Sequence, residues 1–136
     1  MSVKKTMFSK HFTVREANQL IPILASQLEE IRQRQNEFLI HYPQLRDIKE
    51  RRLTDAGFPN SPEYLQRSAF LSEILAKISS TGVVLKDISR GLVDFPHLSE
   101  GKEILLCWEL GEEEVLYWHD IYSGYEGRQN LYLDKQ

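Results

Sequence analysis

Between Leu106 and Asp120 the chain reads LCWELGEEEVLYWHD, two strand-like runs about an acidic turn. Valine and threonine would serve such a hairpin, yet these runs carry Cys107, Glu109, Tyr117, His119 and Asp120. Side chains alternate between the two faces of a strand. Ile104, Leu106, Trp108 and Leu110 therefore share one face, and Leu105, Cys107 and Glu109 the other. In the next run Leu116, Trp118 and Asp120 alternate with Val115, Tyr117 and His119. In the segment before them, Val93 and Phe95 lie opposite Asp94. With the large apolar set turned to the core, the other surface gathers Asp94, Cys107, Glu109, Tyr117 and His119, with Arg128 or Lys86 at its rim. That surface is expected to be exposed.

Three chemistries suit this set. His119 with Asp94 and Glu109 makes a His-plus-carboxylate site for a divalent metal, with zinc, iron and manganese all chemically acceptable. Arg128 and Lys86 can hold the carboxylate or phosphate of a small ligand while Tyr117 and the tryptophans stack on its apolar part. His119 beside a carboxylate can serve as a general acid or base. None of these carries a diagnostic spacing such as H-E-x-x-H or C-x-x-C.

Plainer readings stand beside them. A lone histidine on a strand commonly completes a hydrogen-bond network, and Cys107 suits an inert buried position. Glu109 and Glu112 to Glu114, around the Gly111 turn, read as a solvated hairpin tip, with cation binding there as the weaker alternative. Asp94 and Arg128 can pair to fix the C-terminal loop over the sheet. The half-polar face can also be a homodimer interface that buries Glu109 and His119 as a satisfied pair.

The elements that must position these residues are legible in outline. Thr13-Val14-Arg15-Glu16 is a capping box, and Leu20, Leu24, Leu28, Ile31 and Phe38 continue from it at three- or four-residue steps, apart from a gap at Gln35. A helix is expected over residues 14 to 41, kinked at Pro22 or divided there into two. Residues 43 to 60 form a connection, partly helical around Leu45 to Leu53. Ser61-Pro62-Glu63 then opens a second helix with a stripe of Leu65, Ala69, Leu71, Ile74, Leu75 and Ile78, stopped near Gly82. Short apolar runs follow at Val83 to Ile88, Gly91 to Phe95, Lys102 to Leu110 and Val115 to Ile121. Two helices before several strands predict an α+β fold, with an antiparallel helical hairpin on one face of a small, mostly antiparallel sheet.

The 136 residues suit one domain, with residues 1 to 11 as an N-terminal extension, 12 to 81 as the helical hairpin and 82 to 136 as the sheet and C-terminal loop. A formal net charge of -3 disfavours sequence-independent nucleic-acid binding, and the short basic run Lys49, Arg51 and Arg52 reads as a solvated surface. One cysteine leaves no internal disulfide and suits a reducing compartment. No run of about 18 apolar residues is present, so the expectation is a cytoplasmic protein that neither enters a membrane nor binds nucleic acid.

GVVLKDISRGLVDFP (Gly82 to Pro96), GKEILLCWELGEEEVLYWHD (Gly101 to Asp120) and GYEGRQNL (Gly124 to Leu131), following FTVREANQLIP (Phe12 to Pro22), resemble a bacterial family filed as domain of unknown function 2203. The resemblance spans Phe12 to Leu131 and implies that the sheet segment is the family's signature, with no agreed activity to carry over. The leading expectation is a protein that binds a small ligand or a metal on the exposed sheet face. The alternatives are a structural or partner-binding homodimer without ligand and a metal-assisted enzyme with His119 as base.

Overall fold

The computed structural model describes residues 6 to 41 and 62 to 132. The connection, its basic run and the Ser61 cap lie outside the described residues. Helix α1 spans Val14–His41 and begins as the capping box requires. The Glu16 amide donates to Thr13 Oγ1 at 3.0 Å, and the Thr13 amide donates to the Glu16 carboxylate at 2.8 Å. The helix runs unbroken through Pro22, so the expected division does not occur. Pro22 stands on the exposed side, while Ala17, Ile21, Leu24, Leu28 and Ile31 form a continuous buried stripe past it.

Helix α2 (Pro62–Ser80) contributes Ile74 and Ile78 to the same core, with Phe70, Leu71 and Leu75 packed against it. Leu65, expected in its stripe, is 60% exposed. The helix stops as expected, with the Gly82 amide donating to the Ser79 carbonyl and Gly82 itself at φ 97°.

Five strands follow: β1 (Val84–Asp87), β2 (Leu92–Ser99), β3 (Lys102–Glu109), β4 (Tyr117–Asp120) and β5 (Gln129–Asn130). They form one antiparallel sheet in chain order. Strand β2 continues four residues beyond its expected end at Phe95. Pro96 is tolerated there because its carbonyl accepts from the Phe12 amide at 2.7 Å, on the side away from β3, where no ladder N–H is needed. Ser99 and Lys102 pair across a two-residue turn in which Glu100 and Gly101 both have positive φ, as a type I′ hairpin demands.

Val93, Phe95, Leu106 and Trp108 turn one sheet face toward the helices, as the alternation predicts. The Val115 amide donates to Asn18 Oδ1 at 2.7 Å and so ties the sheet to α1. The opposite face differs from expectation. Leu92, Asp94, Pro96, Leu105, Cys107 and His119 are all buried on it. Two segments are bound there. The N-terminal stretch is pinned where the amides of Met7 and Phe8 and the ring of His11 meet the Glu103 carboxylate at 2.7, 3.0 and 2.6 Å. A 3-10 turn at Tyr125–Gly127 lies against β4.

Gly91 and Gly101 separate steric crowding from backbone strain. Both have positive φ, but a Cβ at Gly91 would sit 2.5 Å from Leu110 Cβ, whereas one at Gly101 meets nothing within 4 Å. Gly91→Ala is expected to lower stability by roughly 2–4 kcal/mol and Gly101→Ala by about 1–2 kcal/mol, measured by denaturant titration.

Candidate functional site

Adjacent strands of the buried face supply the chemistry. Asp94 on β2 faces Cys107 on β3, and His119 on β4 faces Leu105, one pleat along. Because the Pro96 carbonyl points away from β3, Pro96–Leu105 and Asp94–Cys107 are non-hydrogen-bonded pairs, in which side chains approach most closely. His119 reaches diagonally over β3 and brings Nε2 to 3.1 Å from Asp94 Oδ1. Its Nδ1 lies 2.8 Å from the Asp120 carbonyl oxygen. Asp94 is 1% exposed, His119 2% and Cys107 not at all. One donor atom from each of the three lies within 4.8 Å of the others.

The partners decide the protonation of the ring. A carbonyl oxygen only accepts, so Nδ1 carries a hydrogen. Nε2 faces a carboxylate and must carry one too while Asp94 is ionised, which makes His119 an imidazolium in a buried ion pair. The hydrogen bond to Asp94 and then the contact with Cys107 push the His119 pKa up to about 10, against the effect of burial, with the Asp120 carbonyl adding to the rise.

Around this cluster stands a ladder of cations and rings. The Arg128 guanidinium lies 4.0 Å from the Tyr117 ring centre and 4.6 Å from that of Tyr125, whose ring also carries Arg90 at 4.1 Å. Arg128 Nη2 donates to Glu112 Oε1 at 2.6 Å and to the Cys107 carbonyl at 3.3 Å. Burial works against its charge, but Glu112 outweighs that and holds Arg128 protonated more firmly than usual. Glu109 accepts from Tyr125 Oη and Arg90 Nε, both at 3.2 Å.

Of the residues singled out from sequence, Asp94 and His119 meet directly, and Tyr117 and Arg128 stack beside them. Arg128 pairs with Glu112, not with Asp94. Glu109 is held by Arg90 and Tyr125 and is not in the cluster of potential metal donors; Cys107 occupies that place. Its position one pleat beyond Asp94, opposite Leu92, accounts for the difference. Lys86 is exposed in the irregular part of edge strand β1 and lines a groove with Leu75 and Ser79 of α2, so it does not join the site. His119 and Glu109 do not form the buried pair expected of a dimer interface.

The sequence pattern of a family described as an uncharacterised conserved protein, DUF2203, matches residues 10 to 131. The chain belongs to the DUF2203 family. No curated protein and no solved structure matches it. The match takes in every residue of the cluster and the ladder, so both lie within the DUF2203 unit.

Arg90, Tyr125 and Glu112 are the site residues that sequence reasoning missed. Each comes from a turn or loop, where strand alternation gives no direction. Glu112, grouped with the solvated tip, instead accepts from the Glu109 amide at 2.7 Å as well as from Arg128.

His119 titrates near 10 in the folded chain against 6.5 for the free side chain. A raised pKa of this kind adds stability that is complete below about pH 6.5 and lost as pH rises through about 10. Denaturant titrations at intervals from pH 6 to pH 10 are expected to show stability falling over that window, and the fall should be absent in His119→Ala. That variant should also lose about 3–5 kcal/mol near neutrality because Asp94 is left buried without its partner, whereas replacing both residues by leucine should cost much less.

Proposed function

We propose that the protein binds one divalent metal ion, with zinc the best chemical match, through Asp94 Oδ, Cys107 Sγ and His119 Nε2. The convergence of these three buried donors within 4.8 Å carries the reading. Tetrahedral zinc with bonds of about 2.0 to 2.3 Å keeps its donors roughly 3.3 to 3.8 Å apart, so small side-chain adjustments would close the site. Carboxylate, thiolate and imidazole together suit a borderline-soft ion better than magnesium or calcium. The His119 Nδ1 hydrogen bond to a backbone carbonyl is the kind of support that orients a metal-bound imidazole.

Charge favours the same ion class. Carboxylate, thiolate and neutral imidazole together carry two negative charges, which one divalent ion cancels, so the metal-bound cluster places no uncompensated charge in a dry site. Burial of all three donors shields the ion from bulk solvent. Three protein donors leave a fourth tetrahedral position for a water molecule, and His119, as a ligand, is not available as a free base.

A second reading has its own observation. Both ring nitrogens of His119 already have partners, at 2.8 and 3.1 Å, so the cluster can also be a complete structural network without metal. Titrating zinc into tag-free protein in weak buffer at pH 7 separates the two. The metal reading expects about one ion bound per chain, with protons released on binding and binding weakened at least tenfold in Cys107→Ser and in Asp94→Asn. Absence of binding at micromolar zinc, or binding that Cys107→Ser leaves unchanged, would establish the network instead.

A further inference from the structure

A donor set this deeply covered needs a route for the ion, and two described segments cross the face that holds it. The N-terminal segment is anchored at Glu103, beyond Leu105 at the far end of the face. The C-terminal segment is anchored over Cys107 itself, through one side chain. We propose that Gly124 to Asn130 is the door to the Asp94, Cys107 and His119 cluster, with Arg128 as its latch. This inference rests on the metal reading for what passes through, but the door itself can be tested without metal.

Four observations single out this segment. Arg128 binds the sheet at the Cys107 carbonyl, next to the thiol, and lies flat on Tyr117, the residue in register with Cys107 on β4. Its remaining bonds, to Glu112 and to Tyr125 Oη at 3.3 Å, close the turn over that point. Beyond Arg128 the backbone of the segment pairs with β4 through the two-residue strand β5 and the Leu131 amide on the Leu116 carbonyl, a short ladder to oppose local opening. Its other end starts at the carbonyl that supports His119. The Ser123 amide donates to the Asp120 oxygen at 3.2 Å, the same oxygen that accepts from His119 Nδ1. Movement of the segment would therefore uncover Cys107 and loosen the orientation of His119 together.

The latch also has a stated weak point. Arg128 Nε is buried with no hydrogen-bond partner among the described residues, so the closed form leaves one donor unsatisfied. Gly127 lets the turn close tightly, since a Cβ there would meet Ser123 Cβ at 2.7 Å. Arg128 is a positioning residue in this scheme: its planar guanidinium stacks and pairs at once, which a lysine ammonium cannot reproduce.

Cys107 is the chain's one cysteine, so its alkylation by iodoacetamide in the metal-free full-length protein reports opening of the site. Glu112→Gln and Arg128→Lys are expected to raise the labelling rate at least tenfold, with little dependence on added urea, because a local opening exposes little surface. Glu103→Gln, which releases the N-terminal segment, should leave the rate near that of the unaltered protein. In zinc-loaded protein the two latch variants should release the ion to a chelator faster by a similar factor. The door is overturned if Glu103→Gln accelerates labelling as much as Glu112→Gln does, if the latch variants label at the unaltered rate, or if their labelling rises with urea as steeply as global unfolding. A protein that binds no zinc but shows fast, urea-insensitive labelling in the latch variants would keep the door and remove the metal reading.

Discussion

Asp94 puts a carboxylate in an interior strand of a sheet that is covered on both sides, and a lone buried charge costs several kcal/mol unless it is paired. Much of the surrounding arrangement answers that constraint. His119 supplies the opposite charge from two strands away, and the Asp120 carbonyl fixes the ring so that Nε2 faces the carboxylate. Asp120 in turn anchors the turn that begins the C-terminal segment. A single electrostatic requirement thus links β2, β4 and the chain beyond β4, across a central strand whose own contribution is the Cys107 thiol.

The same requirement explains why the two sheet faces differ in chemistry although both are buried. The helix-facing side is held by apolar packing of Val93, Phe95, Leu106 and Trp108 against the stripes of α1 and α2, which depends on area more than direction. The other side is held by groups with fixed geometry: an ion pair, a carboxylate that receives the N-terminal amides, and a four-layer stack of arginine and tyrosine. Directional contacts of this kind confine side chains to particular positions, and three of those so confined offer metal donors that converge.

Much of this was legible in the chain. The capping box at Thr13 and the apolar steps after it define where α1 starts and ends, because helix initiation and amphipathicity are local properties. Strand alternation sorted Asp94, Cys107, Glu109, Tyr117 and His119 onto one face correctly, since a period of two needs no knowledge of neighbours. Which of them touch depends on register, which is set between strands. The sequence therefore offers Glu109, with Cys107 read as an inert buried residue, as the donor beside Asp94 and His119, and only the pairing of Asp94 with Cys107 and of Glu109 with Leu92 reverses the two. Burial of that face was illegible for a similar reason: its cover comes from residues far along the chain, held by Glu103 and Arg128. The turn residues Arg90, Glu112 and Tyr125 left no periodic trace at all.

Whether Cys107, Asp94 and His119 act as one metal site can be read with cobalt(II), whose spectrum reports ligand type and geometry together. Titrated cobalt is expected to give a thiolate charge-transfer band and strong tetrahedral d–d absorption that saturate at one equivalent, with the charge-transfer band lost in Cys107→Ser. A spectrum that stays that of six-coordinate aqueous cobalt throughout the titration would rule the site out and leave the buried Asp94–His119 pair as a structural element of the sheet.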